Sequence, residues 1–248
     1  MILLIYILIT DSPGIGKRDL MQVIGIGVVN VVASMSLLQL SLYVSNAKAS
    51  VVAVIFSSNP IFVTVFSALL DKERINLRKI LGLIAGVIGI IVIFIQKIDF
   101  KSLDLLSPAL ALLSSVLFGL YTVLGRKITM RIGSVKMNSY SFISGSLILL
   151  PLMLAFKIPV FSFDYSGIPQ VAFLAVFVTG FAYLTYFKGL SITGAGTGSM
   201  VFFAKPALAS ILAVLFLHEH MTASLVAGII LIISGIAVSV YPGRSIDS

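Results

Sequence analysis

From Leu20 to Val240 the sequence runs through eight apolar stretches, each long enough to cross a bilayer as a helix. They are Leu20 to Val44, Ala47 to Leu70, Leu77 to Ile95, Leu105 to Gly125, Met137 to Phe156, Ile168 to Phe187, Gly196 to Leu217 and Thr222 to Val240. About 20 helical residues span a hydrocarbon layer about 30 Å thick, and in that layer backbone groups must be satisfied by helices or closed barrels. The expected fold class is therefore all-α: a polytopic membrane protein with eight full transmembrane helices. A soluble helical core would need a polar face on each helix, and most of these stretches have none. Charged residues make up 10% of the chain, against about a quarter in an ordinary soluble domain. Ile2 to Ile9 is apolar but too short to cross at about 1.5 Å per residue, and it is read as a partial span. No basic leader or small-residue cleavage site accompanies it, which argues against a signal peptide. Asn76 and Thr222 are N-cap types placed before their stretches, and Ser107 followed by Pro108 supplies a cap with proline at the first helical position.

The net charge of +8 would raise the question of nucleic acid in a soluble chain. Here most basic residues lie in short turns between apolar stretches, so they are topology signals and no nucleic-acid partner is expected. The chain has no cysteine, which excludes disulfides, thiolate metal sites and a cysteine nucleophile. His218, Glu219 and His220 lack the four-residue histidine spacing of a helical zinc motif. Gly194, Gly196 and Gly198 lead into an apolar stretch without the preceding strand or the lysine of a phosphate loop. No Ser/His/Asp set or carboxylate pair falls within the stretches. No metal, cofactor or enzymatic activity is expected.

The chain also repeats itself. An ungapped shift of 146 positions superposes Ala49 on Ala195, Phe56 on Phe202, Pro60 on Pro206, Leu69 on Leu215, Glu73 on Glu219, Gly82 on Gly228 and Gly89 on Gly235. Asn76 then meets Thr222, cap on cap. Two units follow, residues 1–95 and 105–240. The second and seventh stretches are equivalent yet five crossings apart, and an odd number reverses direction, so the units are expected to be inverted. Loop charge bears on the same point. The turn with Glu73 carries Lys72, Arg74, Arg78 and Lys79, while the turn with Glu219 carries no lysine or arginine. Positive-inside logic puts the first in the cytoplasm. Lys17, Arg18, Arg126, Lys127, Arg131, Lys136, Lys188 and Arg244 join it, twelve residues in all. Lys48, Lys97, Lys101 and Lys157 make four outside. The C-terminus is expected in the cytoplasm and the chain in the cell membrane.

Three segments carry a family resemblance: Ser57 to Phe94, Leu112 to Lys127 and Phe202 to Gly235. The pattern of proline in a span, glutamate after it and two glycines in the next resembles the EamA-type transporters of the drug/metabolite transporter superfamily. The resemblance implies two units of five spans, cytoplasmic termini and a central solute cavity. This sequence departs from it at the start, where the first span and about half of the second have no counterpart. It implies transport of amino-acid or drug/metabolite-type solutes, by export, through alternating access. The contrasting reading is a truncated, transport-incompetent membrane protein with a scaffold or partner-binding role. Partners expected are a small-molecule solute, the lipid bilayer and, as an open option, a second copy in a homodimer.

Candidate solute-binding residues follow from polarity within the spans. Pro60 and Pro206 each remove a backbone donor and free the carbonyl four residues earlier, at Phe56 and Phe202. Paired, proline-interrupted spans in inverted repeats point to a midplane site. Asn30, Ser34 and Ser41 share one side of the first helix, and Thr179, Tyr183 and Tyr186 share one side of the sixth. Lys205 is the one formal charge deep inside a span, and its repeat partner is Asn59. A central lysine costs about 2.5 to 3.5 kcal/mol on the insertion scale, so Lys205 is expected to face the interior and pair an anionic group of the solute. Gly82 and Gly86 are read as close helix packing.

Overall fold

The structure is a computed structural model describing residues 14–44, 49–94, 105–160, 165–217 and 222–240. The partial span Ile2 to Ile9, the His218 to His220 turn and the tail after Tyr241 lie outside the described residues. Eight helices are long and apolar enough to cross a membrane: α1 Lys17–Tyr43, α2 Val51–Asp71, α3 Leu77–Phe94, α4 Leu106–Ile132, α5 Ser134–Ala155, α6 Tyr165–Thr193, α7 Ala195–Phe216 and α8 Ala223–Val240. Among the described residues there is no strand. The chain is an all-α polytopic membrane protein.

Boundaries follow the sequence with two notable extensions, at the ends of α4 and of α6, the latter running past Phe187 to Thr193. Helix α4 runs past Gly125 to Ile132, because Arg126, Lys127 and Arg131 continue the helix and find partners beyond the apolar stretch. It ends at Gly133, and α6 ends at Gly194, where φ of +84° and +89° respectively requires a residue without a side chain. Asn76 Oδ1 accepts the Lys79 backbone N–H at 2.9 Å, and Thr222 Oγ1 accepts that of Leu225 at 3.2 Å. These two caps are therefore formed, each using the hydroxyl or amide oxygen to satisfy a free donor in the first turn, whereas Ser107 is no cap, since α4 begins at Leu106 and the Ser107 hydroxyl donates to the Ser41 carbonyl.

The repeat is visible in backbone conformation. Val28–Met35 of α1 and Leu174–Phe181 of α6 are both π-helical. A shift of 146 carries the first segment onto the second residue for residue. The same relation organises the α3–α8 crossing. A Cβ on Gly89 would stand 2.8 Å from the Gly228 carbonyl oxygen, and one on Gly228 would stand 2.7 Å from that of Gly89. A Cβ on Gly235 would stand 2.8 Å from the Gly82 carbonyl oxygen. Since Gly82 equates with Gly228 and Gly89 with Gly235, the contacts exchange under the repeat. Two helices that touch through equivalent residues in this way are related by a local two-fold axis through their crossing. Gly86 faces the ring of Phe203 instead.

Helices α1 and α4 are joined by a ladder of serines. Ser34 Oγ donates to the Ser114 carbonyl at 3.0 Å, and Ser114 Oγ donates back to the Ser34 carbonyl at 2.7 Å. Further along, Ser107 Oγ donates to the Ser41 carbonyl at 2.6 Å. Small hydroxyl residues let two backbones approach and bond in an apolar medium. One apolar core brings together Val23 and Ile26 of α1, Phe118 and Tyr121 of α4, Met137 of α5, Phe187 of α6 and Phe202 of α7. A second joins α3, α7 and α8 around Ile90, Phe203 and Ile232.

Candidate functional site

The first core contains polar atoms that its helices do not satisfy. Asn30 comes from the π-helical stretch of α1, is 1% exposed, and neither its amide nitrogen nor its oxygen makes a hydrogen bond of good geometry, although the Tyr121 and Tyr183 hydroxyls stand in loose hydrogen-bonding reach. The Tyr121 ring of α4 is fully buried and its hydroxyl, like that of Tyr186 of α6, makes no well-formed hydrogen bond, only loose approaches to Asn30 and Ser141 and to Thr122 respectively. The three are neighbours. Asn30 lies beside the hydroxyls of Tyr121 and Tyr183, Tyr121 also beside Ser141 of α5, and Tyr186 beside Thr122. Thr122 and Ser141 donate instead to their own helices, at the Phe118 and Asn138 carbonyls. Most buried polar groups have partners, because an unsatisfied one costs about 1 to 3 kcal/mol. Several of them converge in this one place.

Aromatic rings frame this cluster. Tyr121 meets Phe187 edge-on at 5.3 Å, Tyr186 meets Phe202 at 5.2 Å, and Phe118 meets Phe202 at 5.2 Å. Tyr183 stands edge-on to Phe142 at 5.0 Å. Edge-to-face contacts fix each ring's tilt and so aim its hydroxyl. The cluster thus combines rigid apolar walls with a few uncharged hydrogen-bonding groups, the general make-up of a small-molecule site.

The sequence candidates separate into two groups. Asn30, Tyr183 and Tyr186 come together. Ser34 and Ser41 are buried but committed to their helices and to α4, while Thr179 is exposed. Pro60 is not a kink inside one helix: α2 breaks at Ser58 and restarts at Asn59, so Pro60 falls in the first turn of Asn59–Asp71, where no donor is missed. The Phe56 carbonyl that Pro60 frees accepts the Asn59 side-chain amide at 3.2 Å. Pro206 is buried inside Val201–Leu217.

Lys205 is exposed along its side chain but shielded at its ammonium. Its side chain is exposed on the face of α7 that also exposes Val201, Leu208 and Leu212. Its ammonium rests 3.6 Å from the centroid of Phe202, one turn earlier. A cation over an aromatic face gains about 0.5 to 2 kcal/mol. Asn59 and Lys205 therefore meet different groups, the Phe56 carbonyl and the Phe202 ring, and neither contact joins them. Lys205 reaches the cluster indirectly, through Phe202 and its contact with Tyr186.

Tyr121 was missed by sequence. It is four residues before Gly125, in a stretch where tyrosine packs as readily as it binds, and only its loosely held hydroxyl distinguishes it. Asn138 of α5 lies against Tyr183: its amide nitrogen donates to the Ser134 carbonyl at 2.8 Å and to the Tyr183 carbonyl at 3.5 Å, and its oxygen is buried without a well-formed bond.

The fold and its repeats agree with what the chain resembles. A solved crystal structure superposes with a TM-score of 0.79 over 98% of this chain and 84% of the other, at 20% identity, which speaks to the fold alone. An uncharacterized transporter of Clostridium kluyveri is 35% identical over 214 residues, 84% of this chain and 68% of the relative. An uncharacterized transporter of Archaeoglobus fulgidus is 30% identical over 231 residues, 91% and 81% respectively. The sequence pattern of the EamA-like transporter family matches residues 1–95 and 105–241. With proline, glutamate and glycine pairs in register and the glycines exchanged across one crossing, the chain belongs to the EamA-like transporter family.

Proposed function

We propose that this membrane transporter carries a small polar solute by alternating access between two inverted repeats, and that Asn30, Tyr121, Tyr183 and Tyr186 contact the solute. The observation that carries this reading is the set of buried, converging and unbonded polar atoms at Asn30, Tyr121 and Tyr186. No formal charge belongs to that set, so the deep part of the site suits a neutral hydrogen-bonding group. Amino-acid or drug/metabolite-type solutes moved outward across the cytoplasmic membrane fit the family. The sequence holds no phosphate loop, which favours an ion gradient or the solute's own gradient over ATP as the driving force.

Two measurements test this. In reconstituted vesicles, flux of an amino acid or related metabolite is expected without ATP; flux that needs ATP hydrolysis by the purified chain would refute the mechanism. In intact cells, a cysteine placed at Ser134 is expected to be shielded from a membrane-impermeant thiol reagent and one at Ser166 to react. The reverse pattern would invert the topology.

A further inference from the structure

The two repeats are tied together at one end of the molecule. Here α2 finishes, α3 and α7 begin, and α4 and α6 finish. Asp71, the last residue of α2, is 7% exposed in its side chain and takes Arg126 Nη1 at 3.1 Å and Lys127 Nζ at 2.7 Å. Arg126 uses its Nε to hold the Leu190 carbonyl near the end of α6, at 2.8 Å. Lys127 also donates to the Leu70 carbonyl at 2.6 Å. Two residues on, Glu73 accepts the Gly196 backbone N–H at 3.3 Å and pairs Lys79 at 2.5 Å. Gly194, at φ +89°, leaves only 2.9 Å between a would-be Cβ and Glu73 Oε1. The carboxylate is seated in a turn that only glycine admits. Asp71 and Glu73 come from the first repeat, and Arg126, Leu190, Gly194 and Gly196 from the second.

We propose that Asp71–Arg126–Leu190 and Glu73–Gly196 are the two bolts of one gate, which closes the pathway at this basic end and must open each time the solute passes there. This rests on the two-repeat, alternating-access reading. Under that reading the repeats separate at one end while staying joined at the other, and contacts between them at an end are the ones that change. The bolts suit that duty better than an apolar seam. Charged bonds at the edge of the membrane exchange for water when they open, so the closed and open forms differ by a few charge-assisted bonds and not by exposed core. Directly beneath lies Thr64, 3% exposed, with its hydroxyl unbonded and 3.5 Å from a would-be Cβ on Gly196.

Glu73 is held ionised in the closed form. Partial burial works to raise its carboxyl, but Lys79, the Gly196 N–H and the Ser67 hydroxyl outweigh it and bring it below the ordinary carboxylate range. A lowered carboxylate contributes stability above its unfolded pKa, and loses it as pH falls through the folded value. The bolt should therefore hold at neutral pH and weaken only on strong acidification. Opening in the neutral range is then set by conformation and solute, not by a proton on Glu73.

The test places a single cysteine at Thr64 in the cysteine-free chain and follows its reaction with a membrane-impermeant maleimide in inside-out vesicles. Asp71→Asn with Glu73→Gln is expected to speed labelling by about tenfold or more, the factor corresponding to one lost charge-assisted bond. A second reporter at Ser107, buried between α1 and α4 at the far end, should keep its rate. Exchanging the Asp71 and Arg126 charges, by Asp71→Arg with Arg126→Asp, should restore part of the protection. Unchanged labelling at Thr64, or an equal rise at Ser107, overturns the gate. If the double variant is not recovered from membranes, the single changes Asp71→Asn and Glu73→Gln carry the same comparison. Because the readout is accessibility, unchanged labelling counts against the gate and absent flux against the transport reading on which it rests, so the two failures are told apart.

Discussion

Gly89→Val is expected to abolish recovery of folded protein, and Gly228→Val to do the same. At Gly89 the new Cβ alone would stand 2.8 Å from the Gly228 carbonyl oxygen, 2.7 Å from an Ile232 side-chain carbon and 3.1 Å from the Ile232 backbone nitrogen. Two of those are backbone atoms of α8, which no rotamer change can move. The helices would have to part along their whole crossing, losing the reciprocal contact at Gly82 and Gly235 as well. Overpacking a core usually costs about 1 to 3 kcal/mol when side chains absorb it, and more is expected where none can. The crossing is also where the two repeats meet about their local two-fold, so parting it opens the second core around Ile90, Phe203 and Ile232. The comparison is Gly25→Val, since nothing stands within 4 Å of a Cβ there. Gel filtration in mild detergent should give a monodisperse peak for Gly25→Val and aggregate for Gly89→Val. A Gly89→Val protein that elutes and melts like the parent would mean that the α3–α8 crossing is not formed this way.

Span number, span type and the repeat were legible because each rests on a one-dimensional signal: unbroken apolar length, cap residues, and coincidences at one shift. The caps at Asn76 and Thr222 are the clearest case, since their chemistry is local and needs no knowledge of neighbours. The site was only half legible, and the reason is that a polar residue in a membrane helix has two uses that look alike in sequence. Asn30 and Ser34 are both buried on α1, four residues apart. Ser34 meets Ser114 and is well bonded, whereas Asn30 meets the Tyr121 and Tyr183 hydroxyls only loosely. That difference belongs to α4 and α6, not to α1. Lys205 is the harder case for a similar reason. Its insertion penalty argued for an inward partner, but the partner is a ring on its own helix, and an aromatic residue three positions earlier gives no charge signal. Asn59 is accounted for in part: its amide nitrogen closes the carbonyl that the proline leaves free, while its buried oxygen makes no bond of good geometry.

Asn30→Leu is expected to raise stability, or leave it unchanged, while lowering flux by about tenfold or more. Asn30 is 1% exposed and neither amide atom makes a hydrogen bond of good geometry. A buried polar group without a partner costs about 1 to 3 kcal/mol, and an apolar residue of similar shape removes that penalty. If Asn30 served only packing, this replacement would improve the protein at no loss. Tyr186→Phe is the companion test, for it deletes one unbonded hydroxyl and keeps the ring that meets Phe187 and Phe202. A residue kept in a state unfavourable to the fold is one whose partner arrives from outside, the usual exchange of stability for activity. Ser114→Ala should behave in the opposite way. It removes the 2.7 Å bond to the Ser34 carbonyl, so it should lower the melting temperature by an amount matching about 1 kcal/mol and spare flux. Thermal melts of the three variants, set beside their flux in vesicles, separate the two roles. Should Asn30→Leu and Tyr186→Phe both transport the same solute at the parental rate and affinity, the unbonded cluster is not where the solute binds.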